Sequence, residues 1–332
     1  LHYFKRSPLY GTGGPEMKFK KLNQIINKIP LHAITVLLVL LWIIPTLGVF
    51  ITSFRPIELI NTSGWWTFLS SEHAGEERFT TDNYVDALVG YRGSGSYLEQ
   101  CADDPPPLGF QCNLSDLLNS RGMARAFVNS LIITIPATIL PILFAAFAGH
   151  AFSWMDFKGR YLLFAILVGL QVVPLQMTFV PILRIYANVG ANGTFWGVWL
   201  FHTGFGMPYA IYLMRNFLST LPKDLFESAY LDGASHWSAF WQLALPLAMP
   251  AIASLAIFQF LWVWNDLLVA LVFLGGTRPV LTYQIANMVT SLGAGWHLLT
   301  AGAFISMILP MIIFFALQRF FVRGMLAGAV KG

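Results

Sequence analysis

The sequence predicts an all-α, polytopic membrane protein with six membrane-crossing helices. Hydrophobic residues make up 56% of the chain and charged residues 11%, against about 25% charged in an ordinary soluble domain. Six apolar segments are long enough to cross about 30 Å of hydrocarbon at about 1.5 Å per residue. They lie near 31–51, 127–150, 161–183, 194–214, 251–274 and 298–318. Of the 20 Lys and Arg residues, 13 fall before the first segment, between the second and third, between the fourth and fifth, or after the sixth. That bias assigns both ends of the chain and those two loops to the cytoplasm.

Residues 1–30 read as a basic cytoplasmic segment carrying Lys5, Arg6, Lys18, Lys20, Lys21 and Lys28. Within it, 1–16 shows no periodicity and is expected to be a translation-start artefact or a disordered extension, since Met17 heads its own basic stretch. No small-residue cleavage site follows the first span, so a cleaved signal peptide is not expected. Residues 31–320 hold the spans, and 321–332 form a cytoplasmic tail. The connection 52–126 carries five basic and ten acidic residues and is placed outside. In it, Trp65, Trp66 and Phe68 suit an interfacial anchor. Residues 79–88 (FTTDNYVDAL) read as a short amphipathic helix capped by Thr81 or Asp82. Cys101 and Cys112, the only cysteines, can close a small disulfide loop on an oxidising side; two free thiols are the alternative.

Pro45, Pro136, Pro141 and Pro174 fall inside spans and read as packing kinks, tolerated where neighbouring helices satisfy the freed backbone. The fourth span is interrupted by His202, Gly204, Gly206 and Pro208. Gln171, Gln176, His202 and Gln259 are expected to bond between helices rather than to hold a solute. Asp266, beside Asn265, interrupts the fifth span. A central carboxylate costs about 2.5–3.5 kcal/mol on insertion scales, so it needs a reason. The two readings are an interhelical hydrogen-bond network with Arg184 as partner, and a group lining a pathway; the first is preferred because Asp266 falls towards the outer end of the span.

The loop 215–245 is amphipathic and punctuated. Thr220, Pro222 and Asp224 are helix-start signals. Leu225, Phe226, Ala229 and Tyr230 then share one face. Gly233 can adopt the left-handed conformation that stops a helix, and Ser235 can cap a second short helix carrying Trp237, Phe240 and Trp241. Leu245-Pro246 and Pro250 lead into the fifth span. The product is a helix–glycine–helix elbow on the cytoplasmic side, a shape suited to a partner's cleft.

Several chemistries are missing from the sequence. There is no G-x-x-x-x-G-K-[ST] loop, no metal-ligand cluster and no nucleophile triad. The basic balance follows topology and is not a nucleic-acid footprint. The reading is therefore of a non-enzymatic membrane protein without a cofactor of its own.

The run from Glu227 through Ala229, Tyr230, Asp232, Gly233 and Ala234, followed by Leu245-Pro246, resembles the cytoplasmic coupling loop of ABC importer permeases. Its second position is Ser228, where the family pattern has Ala. The ending through Gly328, Val330, Lys331 and Gly332 is similar to the C-terminus of the second permease subunit of maltose-type sugar importers, and Trp264-Asn265-Asp266 matches a run common in that branch. The resemblance covers roughly 30–332. It implies half of a heterodimeric pore, completed by a second permease subunit, two ATPase subunits that bind ATP, and an extracytoplasmic solute-binding protein that delivers sugar. It further implies that the elbow docks on an ATPase subunit and that the tail reaches the same interface. The alternatives are an ABC permease for a non-sugar solute and an ATPase-independent secondary transporter.

Overall fold

In a membrane, apolar runs gain most by saturating their own backbone hydrogen bonds, so long helices follow directly from this composition. The computed structural model describes residues 15–69, 79–90, 122–288 and 295–329, with side chains described for 30–319 within that range. Its regular structure is helical throughout. The elements are α1 (Pro15–Ser53), α2 (Ile57–Thr62), α3 (Asp82–Val89), α4 (Met123–Trp154), α5 (Arg160–Leu170), α6 (Phe179–Val189) and α7 (Phe195–Leu218). They continue with α8 (Lys223–Leu231), α9 (His236–Leu247), α10 (Met249–Trp264), α11 (Leu268–Leu274), α12 (Leu281–Ala286) and α13 (Trp296–Ala329).

Three described helices are long and apolar enough to cross a membrane, and five spans result if each of two bent pairs counts as one. The fourth expected span, α7, has 24 residues and reaches about 36 Å, but its Gly, His, Tyr and Trp content leaves it outside that count. It runs unbroken through Pro208. The expected third span is not one helix: α5 and the segment Leu175–Val189 meet at 96°. Pro174 begins that second arm, and a residue before proline avoids the α region. The expected fifth span is likewise divided. α10 stops at Trp264 before α11 restarts at Leu268, and His236–Leu247, ahead of the expected span, meets α10 at 70°. The ends also differ from the sequence reading. α1 begins at Pro15, ahead of the expected span, and α13 carries on past residue 318 to Ala329.

Three apolar clusters hold the chain together. One joins α4, α7, the elbow and the start of α10 through Ala145, Ala210, Met214, Phe226, Phe240 and Leu255. A second joins α3, α4, α10, α12 and α13 around Met123, Trp264 and Ala301. The third joins α4, α7, α10 and α11 around Ile133, Phe201 and Phe273. α4 and α7 approach closely: a Cβ on Gly149 would stand 2.8 Å from Met214 Cβ, so only glycine permits that distance. By contrast, α1 leaves Leu31 to Leu47 exposed on all sides, a surface that lipid accepts.

At the end away from the elbow, Arg55 is buried and donates to the carbonyls of Leu59 and Ser63, closing α2. Asn83 donates to the carbonyls of Ser53 and Arg55, pinning α3 to the end of α1. Neither expected cap of α3 acts as one: the Asp82 amide is satisfied by Thr80 Oγ1 at 3.1 Å. Trp65 packs against Gly48 of α1, while Trp66 is exposed.

Candidate functional site

The elbow is built from the ends of three elements. α8 turns its apolar face inward: Phe226 is fully buried, with its ring stacked on Trp154 of α4 at 3.9 Å between centroids. Ala229 and Tyr230 are half-buried on the same face. α8 gives way at Asp232, and Gly233 takes φ +87°. Ser235 then caps α9, its hydroxyl accepting from the Ser238 amide at 3.2 Å. Within α9, Phe240–Ala244 forms a π turn, and Trp237 and Phe240, three apart, both stack on Phe147 of α4. Leu245 is half-buried against the same core, and the Pro246 ring is exposed. The Tyr230 hydroxyl lies 3.1 Å from His236 Nδ1 and ties the two helices of the elbow to each other.

What this leaves outside is chemically mixed. Glu227, Asp232 and Gly233 are exposed, Ala234 is half-buried, and Leu231 is 88% exposed at the tip. Sequence reasoning passed over Leu231. A helical wheel could have found it, because five residues beyond Phe226 it turns away from the buried face. An apolar side chain is thus held out beside two carboxylates, on a base packed against α4.

A second feature is a groove of about 380 Å³ between α7 and α10, walled by Phe205, Tyr209, Phe258 and Trp262, with Gly206 and Gln259 at its base. Gln259 is buried and donates to the Ala137 carbonyl at 3.1 Å, bonding between helices as expected. Its aromatic walls resemble a surface for a polyhydroxyl compound, since ring faces take apolar C–H edges and Tyr, Trp and Gln supply polar handles. Gln171 and Gln176 behave differently from expectation: both are exposed, at the α5–α6 bend.

Asp266 lies in the break between α10 and α11. Its Oδ2 accepts from the amides of Val269 and Ala270 at 3.0 and 3.2 Å, so it caps α11. Thr282 donates to its carbonyl at 2.8 Å. The expected partner Arg184 is exposed on α6; the Asp266 carboxylate instead faces His202 Nε2, at 3.8 Å. Asn265 bonds back to Leu261 in its own helix. Gly328 lies within α13. Cys101, Cys112, Val330, Lys331 and Gly332 lie outside the described residues.

Comparison with known proteins adds an independent finding. Residues 123–327 match the family described as binding-protein-dependent transport system inner membrane component. The chain is 51% identical to the osmoprotective compounds uptake permease protein GgtD of Synechocystis sp. over 92% of its own length and 93% of the relative's. It is 42% identical to the alpha-glucoside transport system permease protein AglG of Rhizobium meliloti, over 91% and 96%. It is 30% identical to the melibiose/raffinose/stachyose import permease protein MelC of Bacillus subtilis, over 75% and 90%. In fold it is similar to a chain of a bacterial ABC transporter that imports the acidic polysaccharide alginate, with TM-score 0.60 at 18% identity over 95% and 100%.

Proposed function

We propose, from the premise that this chain belongs to the family of inner membrane components of binding-protein-dependent transport systems, that it is one of two permease subunits of an ATP-driven sugar importer. It is a transport component, not an enzyme. The observation that carries the coupling role is the elbow: a protruding tip of Glu227, Leu231, Asp232 and Gly233, seated through Phe226 and Phe240 on α4. A cleft on an ATPase subunit that grips the tip would move α4, α7 and α10 with it, because all three share one core. ATP binding to the two partner ATPase subunits would turn the pore outward to receive solute from the binding protein, and hydrolysis would reset it. The chain itself needs no cofactor.

Relatives named for alpha-glucosides and for melibiose, raffinose and stachyose support a neutral oligosaccharide or glycoside as cargo. The relative at 51% identity favours a second reading, an osmoprotective compound. The aromatic groove fits either, having no charged group on its walls. The bias of basic residues supports cytoplasmic termini and a cytoplasmic elbow.

The test is the complete importer with its binding protein, reconstituted in vesicles. Leu231→Arg should leave this chain in the membrane while abolishing solute-stimulated ATP hydrolysis; full activity in that variant would reject the docking role. Uptake of a labelled alpha-glucoside, competed with osmoprotective solutes, separates the two cargo readings.

A further inference from the structure

Four polar side chains converge on a chamber of about 10 Å³ beside the α10–α11 break: Ser130 and Thr134 of α4, His202 of α7, and Asp266. Thr134 is 0% exposed, His202 1% and Ser130 4%. Thr134 Oγ1 and His202 Nε2 have no hydrogen-bond partner among the described residues. Unmatched buried polar atoms are costly, so their donors and acceptors are worth counting.

His202 Nδ1 lies 3.1 Å from the Val198 carbonyl. A carbonyl only accepts, so Nδ1 carries a proton, and the neutral ring presents a lone pair at Nε2. Facing it at 3.8 Å is Asp266 Oδ2, beyond direct hydrogen-bond range; Oδ2 already accepts the Val269 and Ala270 amides, so the carboxylate's remaining acceptor capacity lies mainly on Oδ1. Ser130 Oγ accepts from the Leu281 amide at 2.9 Å, which leaves its own O–H to donate. The Thr134 hydroxyl also has its proton to give. The chamber thus offers two acceptors and two donors. Its size suits one water, which typically makes about three bonds when buried. A calcium or magnesium ion would need six or more oxygen ligands, and no group of three or more His, Cys, Asp or Glu stands together among the described residues.

We propose that this chamber binds a single water molecule, which donates to His202 Nε2 and Asp266 and accepts from the Ser130 and Thr134 hydroxyls. The water joins α4, α7 and the helix break at one point. It also sets the His202 ring, whose centroid lies 5.2 Å from that of Trp262 at 72°, a wall of the aromatic groove. The inference does not depend on which solute is carried.

The experiment uses the full importer in lipid nanodiscs, imaged to a resolution that shows ordered water, in sodium-based and potassium-based buffers. A peak about 3 Å from His202 Nε2 and an Asp266 oxygen, present in both buffers, is expected in the native protein and in Thr134→Ser. In Thr134→Val, of the same shape but without a hydroxyl, the peak should be lost and the melting temperature lowered by a few degrees, whereas Thr134→Ser should melt as the native protein does. A peak found only in sodium would assign a cation. Closure of Nε2 onto Oδ2 with no density beside them would assign a direct ion pair. A neutral Thr134→Val beside a destabilised Thr134→Ser would reduce Thr134 to a packing role. Each of these three results overturns the proposal.

Discussion

At Asp266 the chain can either continue α10 or begin again, and the carboxylate settles the matter by accepting two amides of α11. Asn serves nearly as well as a cap, while apolar residues lose about 1 kcal/mol. Asp266→Asn should therefore keep complex yield and uptake, and Asp266→Leu should lower the yield. An Asn variant that assembles fully yet does not transport would show that the charge itself acts on the pathway. Phe226 makes a separate residue-scale case. It is fully buried and stacked on Trp154, and truncating a buried Phe costs about 3–5 kcal/mol. Phe226→Ala should loosen the elbow, so that ATPase subunits no longer co-purify with the membrane-inserted chain; Phe226→Leu should largely restore them. Intact co-purification of the Ala variant would mean that docking does not need the rigid base.

Elements were legible in the sequence where local rules act alone. The left-handed stop at Gly233 and the Ser235 cap are turn chemistry, readable from residue type, and the structure has both. Gly233→Pro cannot reach φ +87°, and should abolish solute-stimulated ATP hydrolysis with the protein still inserted. Normal stimulation would remove the elbow's shape from the mechanism. Helix breaks were not legible. α4 continues as one helix past Pro136 and Pro141, yet the fifth span divides at Asn265–Leu267, where there is no proline. A proline leaves one backbone bond unmade, and packed neighbours absorb that. A break needs the freed amides to find other acceptors, and those come from side chains whose position depends on the whole fold. The α4–α7 contact at Gly149 belongs here too: Gly149→Val should separate the helices and lower the melting temperature of the assembled complex. An unchanged melting temperature would show that Met214 can yield.

For the whole molecule, the 13-to-7 division of basic residues supports the proposed topology, with 52–126 outside and 215–245 inside. Impermeant thiol reagents should label a cysteine introduced at Trp66 in intact cells, and one at Leu231 only after permeabilisation; both side chains are exposed. Labelling Leu231→Cys from outside would invert the proposed topology. The apolar surface that α1 leaves uncovered is what a chain solvated by lipid can present without cost.

The sequence by itself determined the class, the helical content and the elbow, because these rest on composition, on periodicity and on short-range turn chemistry; the family was legible only through the resemblance of the Glu227–Ala234 run and the chain's ending. It could not place the partner of Asp266, the cap of α3 or the aromatic groove, nor tell that the kink at Pro174 is a 96° bend. Asp266 and His202 are 64 positions apart yet meet at 3.8 Å, while Arg184, nearer the same expected surface, is turned away. Only tertiary packing decided these, since it sets which helix faces which, and a buried polar group takes the partner that the packing supplies.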